Sequence, residues 1–296
     1  MLKILADATP TSGLGHLRRA QKLKQHLKHI GLNACVIAPH ELADISIDWL
    51  KDDTLNYHAD LIVDSYLAPL DFYYHVRARA HHLIVIEDSP RANLPTDISI
   101  LNPAYRAETL YMPSKHHFLG CTFMPFERAF IAPQKPLQAA PSTLFMSFGG
   151  SRQSLPYYQQ ALELLGRTHL FVHICAPLEI VRALPHKTYA SYHVNLDLPA
   201  IADLLHQSDI ALLGAGGMLY EAMLSLTPIL ALPIAPNQIP QLHALSQIQA
   251  CKSTGLESLL SDLSVLDLQV RMRMQTVQQA LAIGAKLEPT LEAILI

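Results

Sequence analysis

A glycine-rich turn that carries a histidine follows the first apolar segment of the chain, where Gly13 and Gly15 precede His16. Glycine permits backbone angles that a Cβ atom forbids, and it lets a ligand approach the backbone closely. The first N–H groups of the helix that follows have no intrahelical acceptor, so they form a site for anions. The positive end of that helix disfavours a protonated imidazole, so we expect His16 to be neutral and able to act as a base. The pattern indicates a base beside an anion site, although such short turns are often purely structural.

A second glycine-rich turn follows an apolar segment in the other half of the chain and consists of Gly214, Ala215, Gly216, Gly217 and Met218. The N–H groups of Gly216, Gly217 and Met218 are expected to cradle a diphosphate, because they lie where a helix begins. Glu221 comes one turn later, where a carboxylate can accept both hydroxyls of a ribose. The alternative is that Glu221 only complements the helix dipole.

Two shorter polar motifs also lie in the second half. Asn237 and Gln238 open a further helix, and their amides suit sugar hydroxyls or phosphate oxygens, although Asn is also an ordinary helix cap. Gly149, Gly150 and Ser151 follow the first strand of this half, where they either accept a phosphate or close a tight turn.

Polar residues follow several predicted strands of the first half. Asp64 and Tyr66 follow one strand, Asp88 follows the next, and Asn102 follows another. Because the carboxyl ends of parallel strands meet at one edge of a sheet, we expect these residues to lie at the same edge as His16. Their number favours a functional site over a set of loop caps.

The sequence patterns of several enzyme classes are absent. There is no Asp-x-Asp pair of the kind that holds a divalent ion in metal-dependent sugar-nucleotide transferases, so helix N-termini would have to stabilise the charge. Walker A and Gly-x-Ser-x-Gly patterns are absent too. The 16 histidines include two adjacent pairs, His81-His82 and His116-His117, but no metal-binding spacing. We predict neither a bound metal nor a cofactor.

The composition limits the possible partners and compartment. A net charge of -3 argues against a broad nucleic-acid interface, which needs a basic face. The four cysteines are far apart and typical of reduced thiols in a cytoplasmic protein. We find no signal peptide and no apolar stretch long enough to span a membrane. We expect a cytoplasmic monomer or weak homo-oligomer.

Predicted strands and helices alternate along both halves, which is typical of parallel sheets built from βαβ units. The proline-rich segment 132–142 is the best candidate for a linker. We therefore predict an α/β protein of two doubly wound domains with a cleft between them, over residues 1–135 and 142–296. A long helix over 264–283, capped by Ser264 and ended by Gly284, is expected near the end of the second domain.

Taken together, these motifs resemble the PseG- or SpsG-like UDP-sugar hydrolases of nonulosonic (pseudaminic) acid biosynthesis. That family opens with Ala-Asp-Ala, Gly-x-Gly-His and a following Arg, which are matched by 6–8, 13–16 and Arg19. Its later motifs are matched by 64–66, 87–88, 149–151, 215–221 and 237–238. Two positions depart from the family pattern. Arg152 stands where Asp is usual, and the segment 124–130 replaces a Leu-Leu-Arg-Pro-x-Phe-like stretch.

The resemblance implies a GT-B architecture, shared with the MurG-type glycosyltransferases, in which the second Rossmann-like domain binds UDP. It implies that His16 is the general base that activates water for inverting attack on the anomeric carbon, without a metal. Asp64, Tyr66 and Asp88 would orient the water or sugar, and Arg19 would anchor the helix or an anion. Two alternatives remain open at this stage, an inverting GT-B glycosyltransferase with a UDP-sugar donor and a nucleotide-sugar binding protein without turnover.

Overall fold

The computed structural model describes residues 1–9, 14–132 and 135–296. The chain forms two compact units, one of residues 1–126 with 282–296 and the other of residues 127–281. The change of unit therefore comes at 126–127 rather than in the segment 132–142. The end of the chain, which was assigned to the second domain, packs in the first unit.

Strands and helices alternate in both units, as predicted. The strands are β1 (Leu2–Ala6), β2 (Ala34–Ala38), β3 (Ile45–Ser46), β4 (Leu61–Asp64), β5 (Leu83–Ile86), β6 (Ser99–Asn102), β7 (His117–Leu119), β8 (Thr143–Ser147), β9 (Phe171–Cys175), β10 (Ala190–His193), β11 (Ile210–Gly214), β12 (Ile229–Leu232) and β13 (Lys252–Ser253). The α-helices are α1 (Gly15–His29), α2 (Leu70–Arg77), α3 (Leu155–Leu165), α4 (Leu178–Arg182), α5 (Leu198–Gln207), α6 (Met218–Leu224), α7 (Ile239–Gln247), α8 (Leu259–Ser264), α9 (Leu268–Ala280) and α10 (Leu287–Leu295).

The first unit is built on a parallel sheet with strand order β3-β2-β1-β4-β5-β6-β7. The apolar stripe of α1 packs on one face, where Leu17, Leu23 and Leu27 are completely buried. The other face is covered by a cluster that includes Tyr73 of α2 and Trp49, whose Nε1 donates to the Ala6 carbonyl oxygen at 3.0 Å. The strands are buried on both faces, which explains their continuous apolar sequences.

The second unit has a parallel sheet with strand order β10-β9-β8-β11-β12-β13. The described part of the predicted linker is anchored to this unit. Lys135 Nζ donates to the Leu205 and Ser208 carbonyl oxygens, and the buried Arg271 donates to those of Gln138 and Ala139. The segment is therefore a packed part of the second unit and not an open linker.

The predicted long helix over 264–283 is wrong in its bounds, because the structure divides this region. Helix α9 is capped by Asp267, whose carboxylate accepts the Val270 N–H at 2.8 Å, so Ser264 is not the cap. The chain turns after α9, with left-handed backbone at Ala282 (φ 46°) and Gly284 (φ 73°). A Cβ at Gly284 would lie 2.1 Å from the Phe126 ring, so only glycine fits there.

Helix α10 then returns to the first unit, because it carries its own apolar stripe. Leu287 and Leu291 are completely buried in the cluster that includes α1. The buried His26 of α1 contacts Glu288 Oε1 through Nδ1 at 2.8 Å and the Phe126 carbonyl oxygen through Nε2 at 2.9 Å. These contacts explain why residues 282–296 belong with the first unit.

Candidate active site

Polar residues collect at the carboxyl edge of the first sheet, where β1, β4, β5 and β6 lie side by side. Asp64 ends β4, Asp88 follows β5, and Asn102 ends β6. His16 stands in the first turn of α1, which follows β1. The expected common edge is therefore found in the structure, whereas Gly13 lies outside the described residues.

His16 is held by Asp64. Nδ1 of the imidazole lies 2.5 Å from Oδ1 of Asp64, and both side chains are buried. The Nε2 atom makes no hydrogen bond to another described residue. A carboxylate on Nδ1 fixes the tautomer that carries the proton there, so the lone pair is on Nε2. This is the arrangement of an oriented general base.

The pKa of His16 is raised above its ordinary value of 6.5. Burial alone would lower this pKa, but the hydrogen bond and charge of Asp64 outweigh burial. The sequence had suggested that the helix terminus disfavours the protonated imidazole, whereas the buried carboxylate, which is a closer and larger charge, acts in the opposite direction on this pKa. His16 is therefore a stronger base than an ordinary histidine.

Arg19 bridges two carboxylates one turn further along α1. Its Nε and Nη2 bind Asp64 Oδ2 and Oδ1, both at 2.7 Å, and its Nη1 binds Asp88 Oδ1 at 2.6 Å. Burial would raise the pKa values of both carboxyls, but the guanidinium holds them below their usual range. The bidentate fork fixes the Asp64 carboxylate against His16. Arg19 therefore positions the acidic groups in this structure, and its side chain is committed to them.

Tyr66 closes the network on the exposed side. Its hydroxyl donates to Asp88, its ring meets the imidazole of His16 edge-on with centroids 4.4 Å apart, and 59% of the residue is exposed. Burial of the hydroxyl and the nearby Asp88 raise the pKa of Tyr66. The phenol is therefore protonated at neutral pH and can donate a hydrogen bond at the edge of the site.

Asp7 has a positioning role that sequence reasoning did not assign. Its buried carboxylate accepts the Ser65 hydroxyl at 2.8 Å and the Tyr66 N–H at 2.7 Å. The Ser65 hydroxyl in turn accepts the Ala68 N–H at 2.9 Å. Asp7 therefore shapes the loop that presents Tyr66, and its position directly after a buried strand was the available signal.

Asn102 is bound to protein groups. It is completely buried, its Oδ1 accepts the Ala104 N–H at 3.0 Å, and its Nδ2 donates to the Tyr111 hydroxyl at 3.2 Å. That hydroxyl donates to Glu87 Oε2 at 3.2 Å. Burial raises the pKa of Glu87, whose Oε1 has no hydrogen-bond partner among the described residues. The structure thus gives Asn102 a role in positioning this neighbouring carboxyl group.

The glycine-rich turn of the second unit joins β11 to α6. The Gly216 N–H donates to the Gly214 carbonyl oxygen at 2.8 Å, so it is used within the turn. The N–H groups of Gly217 and Met218 have no backbone acceptor among the described residues, and their role as donors to a diphosphate stays a prediction. A Cβ at Gly214 would lie 3.0 Å from Ile234 Cγ1, so close packing also favours glycine there.

The short 3-10 turn that precedes α7 places one amide beside the same glycine-rich turn. Gln238 Oε1 accepts the Ile234 N–H at 2.8 Å, and its Nε2 lies 3.5 Å from where a Cβ on Gly216 would stand. Asn237 is exposed in a short 3-10 turn and does not cap α7, which begins after Gln238 without a side-chain cap. Glu221 is buried in α6, on the helix that the turn begins. The Gln238 amide therefore lies beside the glycine-rich turn, and a ligand-binding role for Asn237 stays a prediction.

The Gly149-Gly150 turn follows β8 of the same unit. Gly149 has a left-handed backbone (φ 80°), and Ser151 accepts the Gln153 N–H through its hydroxyl. The buried Tyr158 hydroxyl accepts the Phe148 N–H at 2.7 Å and so holds the turn. Arg152 lies exposed at the start of the 3-10 turn that follows. The turn is thus shaped by protein contacts, and a phosphate-binding role for it stays a prediction.

Neither a metal-binding cluster nor a membrane-spanning helix is found among the described residues. Among them, no group of three or more His, Cys, Asp or Glu side chains has a metal-binding arrangement. No helix in this part of the chain is long and apolar enough to cross a membrane. The four cysteines are free thiols, as expected.

Comparison with known proteins supports the resemblance seen in the motifs. A curated Helicobacter pylori protein, named pseudaminic acid cytidylyltransferase and UDP-2,4-diacetamido-2,4,6-trideoxy-beta-L-altropyranose hydrolase, is 31% identical to this chain over 299 residues. Nearly the whole of this chain is thus similar to part of a protein that is named for a hydrolase activity. The match covers 99% of the chain but 55% of the relative, so the chain spans about half of that protein's length. No family model matches the chain.

Solved structures show the fold. MurG of Acinetobacter baumannii has a TM-score of 0.62 at 13% identity, with 99% of this chain and 98% of that chain covered. The spinosyn rhamnosyltransferase SpnG has a TM-score of 0.67 at 15% identity, with 98% and 99% covered. The predicted GT-B fold with two Rossmann-like units is thus confirmed. At these sequence identities the structural similarity shows a shared fold and does not show a shared activity.

Proposed function

We propose that this chain hydrolyses a UDP-linked amino-deoxy sugar and releases UDP. The observation that carries the proposal is the His16–Asp64 pair, with Nδ1 and Oδ1 2.5 Å apart at the carboxyl edge of the first sheet. Attack of water on an anomeric carbon needs an acceptor for the proton of that water, and an imidazole oriented by a carboxylate meets that need. The hydrolase named in the Helicobacter pylori relative supports water as the attacking group.

The proposed reaction is a single displacement at the anomeric carbon. The water oxygen forms a bond to that carbon while its proton passes to Nε2 of His16. The bond between the anomeric carbon and the β-phosphate oxygen breaks, and UDP leaves with the electron pair. One displacement inverts the configuration, as in inverting glycosidases. The charge that then forms on His16 is stabilised by Asp64, which remains ionised because Arg19 lowers its pKa.

The second unit is proposed to bind the nucleotide. The Gly217 and Met218 N–H groups would donate to the diphosphate, where the positive end of the helix offsets the charge that develops on the leaving group. Glu221 would accept the ribose hydroxyls, and the Asn237 and Gln238 amides would bind the sugar or phosphate oxygens. No metal would be required, because these donors supply the charge stabilisation.

The substrate that we propose is UDP-2,4-diacetamido-2,4,6-trideoxy-β-L-altropyranose, the compound in the name of the Helicobacter pylori relative. The chain matches 55% of a protein named for two activities, and its motifs resemble those of the PseG-like hydrolases. The cytidylyltransferase activity is therefore not assigned to this chain.

The test is UDP release from a panel of UDP-sugars that includes 2,4-diacetamido-trideoxy hexoses, with EDTA present and no added acceptor. We expect one UDP and one free sugar per turnover, and proton NMR of the first-formed anomer should show inversion. His16→Ala should lower kcat by about 10³-fold while UDP affinity is retained, since general-base catalysis is worth 10²–10⁴. His29→Ala removes a partly exposed histidine from the same helix and should retain full activity.

Other results would assign a different function. UDP release that needs a second sugar as acceptor would indicate a GT-B glycosyltransferase, for which the same base and nucleotide site would serve. Tight UDP-sugar binding without release under either condition would indicate a binding protein. Equal activity of the His16→Ala and His29→Ala variants would show that His16 is not the general base.

A further inference from the structure

A pocket of about 610 Å³ lies in the first unit, at the amino ends of β5, β6 and β7. His82 precedes β5, Ser99 begins β6, and His116 precedes β7. His16 and Asp64 lie at the carboxyl edge of the same sheet, so this pocket is separate from the candidate active site. We propose that it binds a small organic anion that carries an apolar ring.

The floor of the pocket is apolar. It is formed by Leu83 and Phe118 from the sheet and by Pro289, Ala293 and Ile294 from α10. Contact with such a surface favours the burial of an apolar body. A pocket of this volume is within the range for small-molecule sites, and it has room for a ligand of nucleotide size.

The rim of the pocket is basic. Arg77, Lys115 and Lys286 line it together with the imidazoles of His81, His82 and His116. Asp97 is the acidic residue in the lining, and it is paired with Arg77 at 2.7 Å. His82 contacts Asp60 at 2.9 Å through Nδ1.

Two lysines leave the rim with excess positive charge. Lys115 and Lys286 are exposed on two different segments, and neither has a carboxylate partner among the described residues. The pair of Arg77 and Asp97 is close to neutral, so the charge of these lysines is not offset within the lining. A ligand anion would gain from both lysines at once, while its ring rests on the floor. This combination selects an organic anion over inorganic phosphate or a neutral ring.

Three of the four histidines that form adjacent pairs in the sequence line this pocket. His81 and His82 are adjacent in the chain and His116 comes from a later segment, yet all three line the pocket. They have no metal-binding arrangement with other described residues. Their planar rings, with that of Phe118, suit a planar ligand ring, which prefers offset or edge-to-face contact with aromatic groups.

The experiment uses two matched fluorescent probes on the intact chain. 1-Anilinonaphthalene-8-sulfonate carries an aromatic body and one sulfonate, and N-phenyl-1-naphthylamine is its neutral analogue. Both are titrated with UDP present at millimolar concentration, so that the nucleotide site is occupied. We expect saturable binding of the sulfonate, with a Kd at least tenfold lower than that of the neutral probe.

Variants place the binding at this pocket. Lys115→Glu and Lys286→Glu should each raise the Kd of the sulfonate about tenfold, because each replaces an attractive charge by a repulsive one. Ala293→Phe should abolish binding by filling the floor, and its unchanged circular dichroism would show that the chain still folds. Lys51→Glu reverses a lysine that is 83% exposed and does not line the pocket, so it should change the Kd less than twofold.

The proposal is overturned if the sulfonate does not bind saturably, or if the neutral probe binds equally well. It is also overturned if Lys115→Glu, Lys286→Glu and Lys51→Glu have the same effect, or if Ala293→Phe binds like the wild type. Because the readout is probe binding and not UDP release, failure here leaves the proposed hydrolase activity untouched.

Discussion

The imidazole of His16 is tied to the carboxylate of Asp64, with Nδ1 and Oδ1 2.5 Å apart in a buried setting. The two residues are separated by 48 positions in the chain, and the fold brings them together because β1 and β4 are neighbours in the sheet. The sequence predicted that Asp64 orients the water or sugar directly. We propose instead that Asp64 acts through His16, by positioning the base.

Asp64→Asn should lower kcat by about 10³- to 10⁴-fold, because an amide can donate to Nδ1 and so favour the wrong tautomer of His16. UDP affinity should be unchanged. Steady-state kinetics and UDP titration check both. Asp88→Asn also takes one carboxylate from Arg19 but leaves the His16–Asp64 pair intact, so its loss of kcat should be smaller. Equal losses in the two variants would argue that the whole charge network matters, and not the orientation of His16.

The pH dependence of kcat/KM should follow the raised pKa of His16. The neutral imidazole is the active base, so activity should rise as pH increases through this pKa, with a midpoint above the ordinary 6.5. In Asp64→Asn the carboxylate that raises the pKa is absent, so the midpoint should move to lower pH. A pH–rate profile from pH 5 to 9 tests this. If the midpoint is the same in both proteins, the loss of activity at low pH does not arise from protonation of His16.

Glu221→Ala should weaken UDP binding by about 10- to 100-fold, or about 1.4 to 2.8 kcal/mol, if the carboxylate accepts the ribose hydroxyls. Calorimetric titration with UDP measures this change. Glu163→Ala removes an exposed carboxylate from α3 of the same unit and serves as the control. If both variants bind UDP like the wild type, Glu221 instead complements the helix dipole.

Lys135→Met should destabilise the chain by about 3 kcal/mol, because three buried acceptors lose their donor: the carbonyl oxygens of Leu205 and Ser208 and the hydroxyl of Thr227. Burial lowers the pKa of Lys135 to about 7. Between this value and the unfolded value of about 10.4, the unfolded state binds more protons, so the wild type should gain stability as pH rises. Urea unfolding at pH 7 and 9.5 should show a wider gap between the two proteins at pH 9.5.

Leu291→Ala should cost about 2–5 kcal/mol, since Leu291 is completely buried in the first unit. The single tryptophan, Trp49, lies in the core of that unit, so its fluorescence reports the relevant unfolding transition. Leu110→Ala truncates a side chain that is 54% exposed and should have little effect. An unchanged Trp49 transition in Leu291→Ala would contradict the assignment of α10 to this unit.

The sequence predicted the alternation of strands and helices, because buried parallel strands are continuous apolar runs between amphipathic helices. It missed β3, β7 and β13, which have only two or three residues each and too little periodicity to detect. The end of the chain was assigned to the wrong unit, because Leu287 and Leu291 show that α10 is amphipathic but not which sheet it covers.

The candidate site was predicted at the level of residues and not of contacts. Strand ends in a parallel sheet share an edge, so His16, Asp64 and Asp88 could be placed together from the sequence. Their pairing could not be, since it depends on side-chain directions at that edge. The bidentate contact of Arg19 with Asp64 and the use of the Gly216 N–H inside its own turn likewise became visible only in three dimensions.

The return of residues 282–296 to the first unit has a consequence for the order of folding during synthesis. The ribosome completes residues 1–126 well before it makes α10, so the surface of α1 that Leu287 and Leu291 cover stays bare while the whole second unit is translated. The second unit is continuous in the chain and can fold as soon as it emerges. The unit that is made first is thus the one that is finished last.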